Sequence, residues 1–341
     1  MIVRFEKCEL KIDEFHKEGI AQNDFVGTEK KVFELIEKWN AGETQFSFNT
    51  SGSTGKPKTI LVSRKKIEYS ANATMLKVDP LHDFKEALLC LNPEMIGGAM
   101  VVFRALIWNM NLTVIQPSSD PFNQIRKSKF DFASMVPMQI QNKSSDDLDL
   151  LGSILIGGAA PPSPIMTKYC KVYSTFGMTE TVSHFALKEW NDEHYECIGD
   201  TQIEKQDDNS LTISGTLTDH KTLNTNDLID FISPSEFKWL GRKDFIINSG
   251  GIKINPESVE SKLNTVIDSS FLVSSIPDSK LGEMVVLIVE GKKRLIDVEG
   301  VDFEKFTQPK KVFFLSTFSY TKSGKIDRFK TRSKLISSLE E

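Results

Sequence analysis

The stretch Thr50-Ser51-Gly52-Ser53-Thr54-Gly55-Lys56-Pro57-Lys58 decides how this chain is read. Hydroxyl side chains and two glycines crowd into six residues, and two lysines follow. Glycine lets the backbone turn sharply, so successive N–H groups can converge on one anion. Hydroxyls and ammonium groups add donors for phosphate oxygens. Only two residues separate Gly52 from Gly55, and Lys56 precedes proline, so this is not a Walker loop. Flanking runs Phe46-Ser47-Phe48 and Thr59 to Ser63 read as strands. A phosphate loop held between strands is the reading that results.

Working outward, residues 28–40 place Val32, Leu35, Ile36 and Trp39 on one helical face, with Thr28 as the expected N-cap. Apolar runs at 86–91, 112–117, 131–137, 152–158 and 171–177 alternate with helix-length segments, as in βαβ units on a mostly parallel sheet. From about residue 195 the strands shorten and polar turns such as 206–210 join them. A helix from Pro256 to Leu263 and strands at 271–276 and 284–289 follow the Gly-Gly turn at 250–251. The expected architecture is α/β. A large N-terminal domain over 1–240 combines mostly parallel sheets and helices with a β-rich part. A small α+β domain occupies 241–341.

Composition excludes several classes. Of 341 residues, 39% are hydrophobic and 26% charged, with a formal charge of −5 and no polybasic block, which argues against nucleic acid as the partner. No apolar run reaches membrane-spanning length, and the N-terminus lacks a signal-peptide core, so a cytoplasmic protein is expected. Cys8, Cys90, Cys170 and Cys197 lack metal-ligand spacing and read as reduced thiols.

Three further segments carry chemistry. In residues 174–181 an aromatic, a glycine, a hydroxyl and a carboxylate follow a strand. Phe176 can stack on a purine, and Thr179 and Glu180 offer oxygens suited to Mg²⁺. Asp227 precedes Arg242 and Asp244, a carboxylate and a guanidinium able to hold ribose hydroxyls or phosphate. Lys325 follows a Ser-Gly turn; alone it reads as a solvated loop lysine.

Taken in this order, the four segments resemble the acyl-adenylate-forming superfamily of acyl-CoA ligases, peptide-synthetase adenylation domains and luciferases. The resemblance runs from about 46 to 330 and also takes in 134–139 and 157–162. Within the superfamily, the segment 176–184 is most similar to that of compact bacterial o-succinylbenzoate–CoA ligases of menaquinone biosynthesis. The resemblance implies an acid–CoA ligase using ATP, Mg²⁺ and coenzyme A on a small carboxylic acid. Thr50, Ser51, Gly52, Ser53, Thr54, Gly55 and Lys56 would hold the terminal phosphates. Gly157, Gly158 and Ala159 would line the adenine, with Phe176 against it. Thr179 would contact the α-phosphate and Glu180 the metal. Asp227 and Arg242 would bind ribose, Asp244 would be the hinge of a mobile C-terminal lid, and Lys325 would bridge the reacting groups during adenylation.

The chain departs from that pattern in four places. Phe176 stands for a tyrosine, Asn226 for a glycine, and the segment 92–99 has no histidine where a gate is usual. Only 49 residues precede the phosphate loop, so a reduced N-terminal subdomain is expected. An o-succinylbenzoate pocket should end in a cation or hydroxyls; the sequence does not choose the group, and it leaves Ser183 and His184 open between packing and substrate contact. Other acyl- or aryl-CoA ligases, a carrier-protein-loading enzyme and a non-catalytic nucleotide-binding relative are the alternatives.

Overall fold

The computed structural model describes residues 1–15, 24–49, 59–125, 128–158, 165–264, 266–321 and 326–340. The elements run β1 (Ile2–Arg4), β2 (Glu9–Lys11), α1 (Gly27–Asn40), β3 (Gln45–Asn49), β4 (Thr59–Ser63), α2 (Arg64–Val78), β5 (Glu86–Leu89), α3 (Ile96–Ile107) and β6 (Asn111–Val114). There follow β7 (Phe130–Met135), the single turns α4 (Pro137–Ile140) and α5 (Ser145–Leu148), β8 (Leu151–Ile156), β9 (Lys171–Phe176), β10 (Ala186–Glu189) and β11 (Tyr195–Cys197). Contacts divide the chain into two units, the first comprising 1–203, 213–223 and 233–236.

In the first unit the strand order is β11-β10-β9-β8-β7-β5-β6-β1-β2. The six strands from β9 to β1 pair in parallel, and both flanks are antiparallel. Their apolar runs fit this placement, because parallel strands are covered on both faces. Leu88, Ile154 and Ile156 are buried on one face with Phe122, Phe130 and Leu148. The N-terminal residues are built into this unit: β1 pairs with β6, and the rings of Phe5, Phe15, Phe25 and Phe33 lie 4.7–6.4 Å apart in successive pairs.

Helix α1 buries Val32, Leu35, Ile36 and Trp39 as its periodicity requires. Its N-cap, however, is Val26, with no side-chain cap bond, and Thr28 falls inside the first turn. The helix therefore starts one residue before the hydroxyl that would have capped it. Strands β3 and β4 form their own antiparallel ribbon, with Asn49 paired to Thr59 across the 50–58 segment. Phe46 and Phe48, on one face of β3, pack against Phe103 at 4.9 and 6.4 Å.

The second unit comprises 204–212, 224–232 and 237–341. It holds the greater part of a meander of β12 (Gln202–Lys205), β13 (Ser210–Ser214), β14 (Leu223–Ser233) and β15 (Glu236–Arg242), paired in that order. A second sheet contains β16 (Ile247–Ser249), β17 (Ile252–Ile254), β18 (Phe271–Asp278), β19 (Gly282–Glu290) and β20 (Lys311–Leu315). Along β19, Val285, Leu287 and Val289 join the cluster under α6 (Pro256–Leu263). Val286 and Ile288 join the opposite cluster, with Leu335 of α7 (Arg328–Glu340). Alternate residues of one strand thus seal both faces. All four cysteines are free thiols. Among the described residues no helix is long and apolar enough to cross a membrane.

Candidate functional site

In the first unit, polar residues gather at the carboxyl ends of parallel strands, where α/β sheets bind ligands. Gly157 follows β8 and donates its N–H to the Met135 carbonyl at 3.2 Å; a Cβ there would lie 2.9 Å from the Thr175 hydroxyl. Phe176 ends the neighbouring β9 and is half-buried, edge-on to Phe185 at 5.6 Å and tilted against Tyr195 at 5.4 Å. Gly157 and Gly158, just beyond β8, and Phe176, the last residue of β9, thus lie at the ends of adjacent strands.

After Phe176 the chain doubles back. A Cβ at Gly177 would lie 2.1 Å from the Ser183 carbonyl oxygen and 2.3 Å from the His184 Cα, so only glycine fits. The turn between them holds Thr179–Thr181 in a 3₁₀ conformation. The Thr181 hydroxyl accepts from the Met178 N–H at 3.1 Å, and Val182 closes the turn at φ 67°. A β-branched residue in the left-handed region costs on the order of 1–3 kcal/mol, and such strain clusters at functional sites. The turn presents Thr179 and Glu180 to a cleft of about 370 Å³, shared with Ile60, Val62, Lys66 and the 217–223 segment. Lys66 is ion-paired there to Asp219 at 2.8 Å.

The second unit holds the other expected residues. Asp227, only 4% exposed, accepts from the Trp239 indole N–H at 3.1 Å and from Arg242 at 3.3 Å. Burial raises its pKa, and the Arg242 charge opposes that rise. Arg242 also donates to Asp244 at 2.8 Å, and the Asn226 amide donates to the other Asp244 oxygen at 2.9 Å. Asp227, Arg242 and Asp244 are thus one network, with Asn226 part of it. Thr50 to Lys56, Ala159 and Lys325 lie outside the described residues.

Sequence reasoning missed one constellation. Arg104 lies in the apolar helix α3, 1% exposed, and its Nε and Nη2 have no hydrogen-bond partner. Burial pushes its pKa down to about 9, which leaves it charged at neutral pH. His184, 2% exposed, places Nε2 3.0 Å from the Thr74 hydroxyl. That hydroxyl already donates to the Ser70 carbonyl at 2.7 Å, so Nε2 carries the proton and Thr74 accepts it. Burial, and then the Arg104 charge, hold His184 well below its ordinary pKa, so the imidazole is neutral. His184 is therefore a buried, neutral imidazole within reach of the Arg104 charge.

Among the described residues, no cluster of three or more His, Cys, Asp or Glu could hold a metal alone. Two carboxylates line the cleft, Asp219, which is ion-paired to Lys66, and Glu180; Glu180 suits Mg²⁺, which takes one or two protein oxygens and completes its shell with phosphates and water.

A parallel α/β sheet whose carboxyl edge carries a turn strained at Val182 has the layout of a ligand-binding α/β protein. The chain belongs to the AMP-binding enzyme family, whose profile matches residues 7–208. It is 34% identical to an acyl-CoA synthetase (AMP-forming)/AMP-acid ligase II-like protein from Dyadobacter fermentans, with a TM-score of 0.58 over 90% of this chain and 94% of that one. It is 22% identical to a 2-succinylbenzoate–CoA ligase of Listeria monocytogenes over 93% of this chain and 75% of that protein. The o-succinylbenzoate coenzyme A synthetase of Bacillus subtilis, solved with ATP and magnesium ion, shares the fold, with a TM-score of 0.70 at 21% identity over 84% of this chain and 69% of that one.

Proposed function

We propose that this enzyme is an ATP-dependent acid–CoA ligase that works through an acyl-adenylate, with o-succinylbenzoate as its acid, a step of menaquinone biosynthesis. The observation that carries the choice of acid is Arg104. A buried guanidinium with unpaired donors is costly unless an anion joins it. An aromatic acid with two carboxylates supplies one to be activated and one to meet that cation. The names of the 2-succinylbenzoate–CoA ligases among the relatives support the same acid.

The chemistry needs no general base, because a carboxylate is already nucleophilic. Its oxygen attacks the α-phosphorus, an O–P bond forms, and the bond to pyrophosphate breaks. The chain's task is to bring two anions together and stabilise the charge that develops. Lys325 of the second unit, with Thr179, supplies donors to the α-phosphate, while residues 50–56 hold the departing phosphates. Glu180 would hold Mg²⁺, which would supply neutralisation of the phosphate charge. Asp227 and Arg242 hold ribose. In the second half-reaction the coenzyme A thiol attacks the acyl carbon, AMP leaves with the bonding electrons, and the thiol proton passes to solvent.

ATP–pyrophosphate exchange over a panel of acids tests this reading. The expected result is highest kcat/KM with o-succinylbenzoate and acyl-CoA release on adding coenzyme A. A single-carboxylate acid outperforming it would refute the choice of acid. The second reading, a ligase for another acid, is favoured by the 34% identity to the Dyadobacter fermentans protein.

A further inference from the structure

We propose that Lys66 binds a phosphoryl oxygen of the nucleotide in the cleft beside Glu180, in competition with the chain's own Asp219. The inference rests on the reading that this cleft takes ATP. Lys66 stands in the first turn of α2, which holds Arg64, Lys65 and Lys66 and no acidic residue. The backbone field there disfavours cations, so helix stability does not account for Lys66. Arg64 is used within the fold, donating to the Trp39 carbonyl and to Glu68, each at 2.9 Å. Lys66 instead lines the cleft, where its ammonium meets Asp219 at 2.8 Å. Ile60, Val62 and Leu217 give the cleft apolar walls, which strengthen any charge pairing inside it. Lys66 and Lys221 balance Asp219 and Glu180. With Mg²⁺ on Glu180 the balance turns positive, and a polyanion such as a phosphate chain restores it.

Asp219 is suited to give way. Its side chain is 67% exposed, and an exposed ion pair contributes little because water screens it. The Lys66 hydrogen bond, with the Lys66, Lys221 and His220 charges, holds the Asp219 carboxyl below its ordinary pKa, so it competes as an anion at neutral pH. Backbone strain brings it to the lysine: Asp219 and His220 both lie at φ 55°, and neither is glycine. Successive left-handed residues persist only where their surroundings hold them. Much of that hold is independent of Lys66. Asp200 accepts the Thr216 N–H at 3.1 Å and the Thr216 hydroxyl at 2.7 Å, and the Tyr69 hydroxyl of α2 donates to Asp200 at 2.5 Å. The turn therefore keeps its place when the Lys66–Asp219 pair opens. Asp219 returns to Lys66 when the phosphoryl group leaves.

Calorimetric titration of the full chain with Mg²⁺-ATP tests this on wild type, Lys66→Met, Asp219→Asn and the double variant. Lys66→Met should weaken binding by about 10- to 100-fold, the range for a hydrogen bond to a charged group. Asp219→Asn should tighten it by about two- to fivefold, the worth of an exposed ion pair. In the Lys66→Met background Asp219→Asn should change nothing, because the competition is gone. An equal gain in both backgrounds would make Asp219 a general repulsion and overturn the competition. If Lys66→Met fails to fold, Asp219→Asn decides alone, and unchanged or weaker binding overturns the proposal. Titration with o-succinylbenzoate is the companion arm; a Lys66→Met loss confined to the acid would also overturn it. Wild type that does not bind Mg²⁺-ATP would remove the reading of the cleft as a nucleotide site. Unchanged ATP binding in Lys66→Met would remove only the role of Lys66.

Discussion

Two arginines, one in each unit, have opposite surroundings: Arg104 is buried and Arg328 partly buried. Arg328 is fully engaged, by a bidentate carboxylate, a carbonyl and an aromatic face. Arg104 is more deeply buried and has neither Nε nor Nη2 bonded. A cation satisfied by its own chain holds structure. A cation that the chain leaves unsatisfied is a standing cost, tolerated where a ligand will later supply the anion. The difference is that Arg328 is satisfied by its own chain and Arg104 is not.

The largest expected effect separates the two by stability. Arg328→Met strands Glu260 without its partner and should cost about 3–5 kcal/mol. Arg104→Met strands nothing, and by removing an uncompensated charge should stabilise the fold by about 1–3 kcal/mol. Opposite shifts in chemical-denaturation midpoints check this pair; shifts of the same sign would break the comparison. Arg104→Met should at the same time raise KM for the acid by about 10- to 100-fold, the range for a hydrogen bond to a charged group, as read by steady-state exchange.

A smaller effect sharpens the second unit. Glu257 lies beside the Arg328–Glu260 pair with Oε2 buried and unbonded, and burial raises its pKa to about 7, against the pull of Arg328. Its folded pKa is above the unfolded value, so the folded state binds the extra proton and stability falls as pH rises between about 4.5 and 7. Glu257→Gln should therefore raise Tm at pH 8 and leave it unchanged near pH 4; an equal gain at both would exclude titration as the cause. The smallest effect is expected of Trp239→Phe, which removes one hydrogen bond to Asp227. It should cost about 0.5–1.5 kcal/mol of ATP binding, measured by calorimetry, with the KM for acid unchanged.

Much of the fold was legible in the residues. The apolar runs at 86–91 and 152–158 became parallel strands, and the helix from Pro256 to Leu263 begins with proline in its first turn behind an Asn255 cap. The Thr179–Glu180 segment was legible as a turn after a strand; alone it reads as an ordinary strand-to-helix turn, and only its order with the other three segments singled it out. The rest depends on partners distant in sequence. One arginine in IGGAMVVFRALI looks like an ordinary charge on a helix, and its lack of a partner shows only when α2, α3 and the residues after Val182 are packed together. Arg328 and Glu260 are 68 residues apart, and nothing local announces their pairing. Thr28 failed as a cap because the chain before α1 is held by the Phe25 ring among the N-terminal aromatics, and the helix starts at Gly27, two residues earlier than a Thr28 cap would place it.

One measurement addresses the role of Arg104 directly. ATP–pyrophosphate exchange is followed for wild type and Arg104→Met, with o-succinylbenzoate and with an analogue lacking the carboxylate that is not activated. Wild type should prefer the dicarboxylate by about 10- to 100-fold in kcat/KM, and Arg104→Met should erase that preference by losing rate only with the dicarboxylate. A preference that survives in Arg104→Met, or wild type that does not distinguish the two acids, would contradict the account.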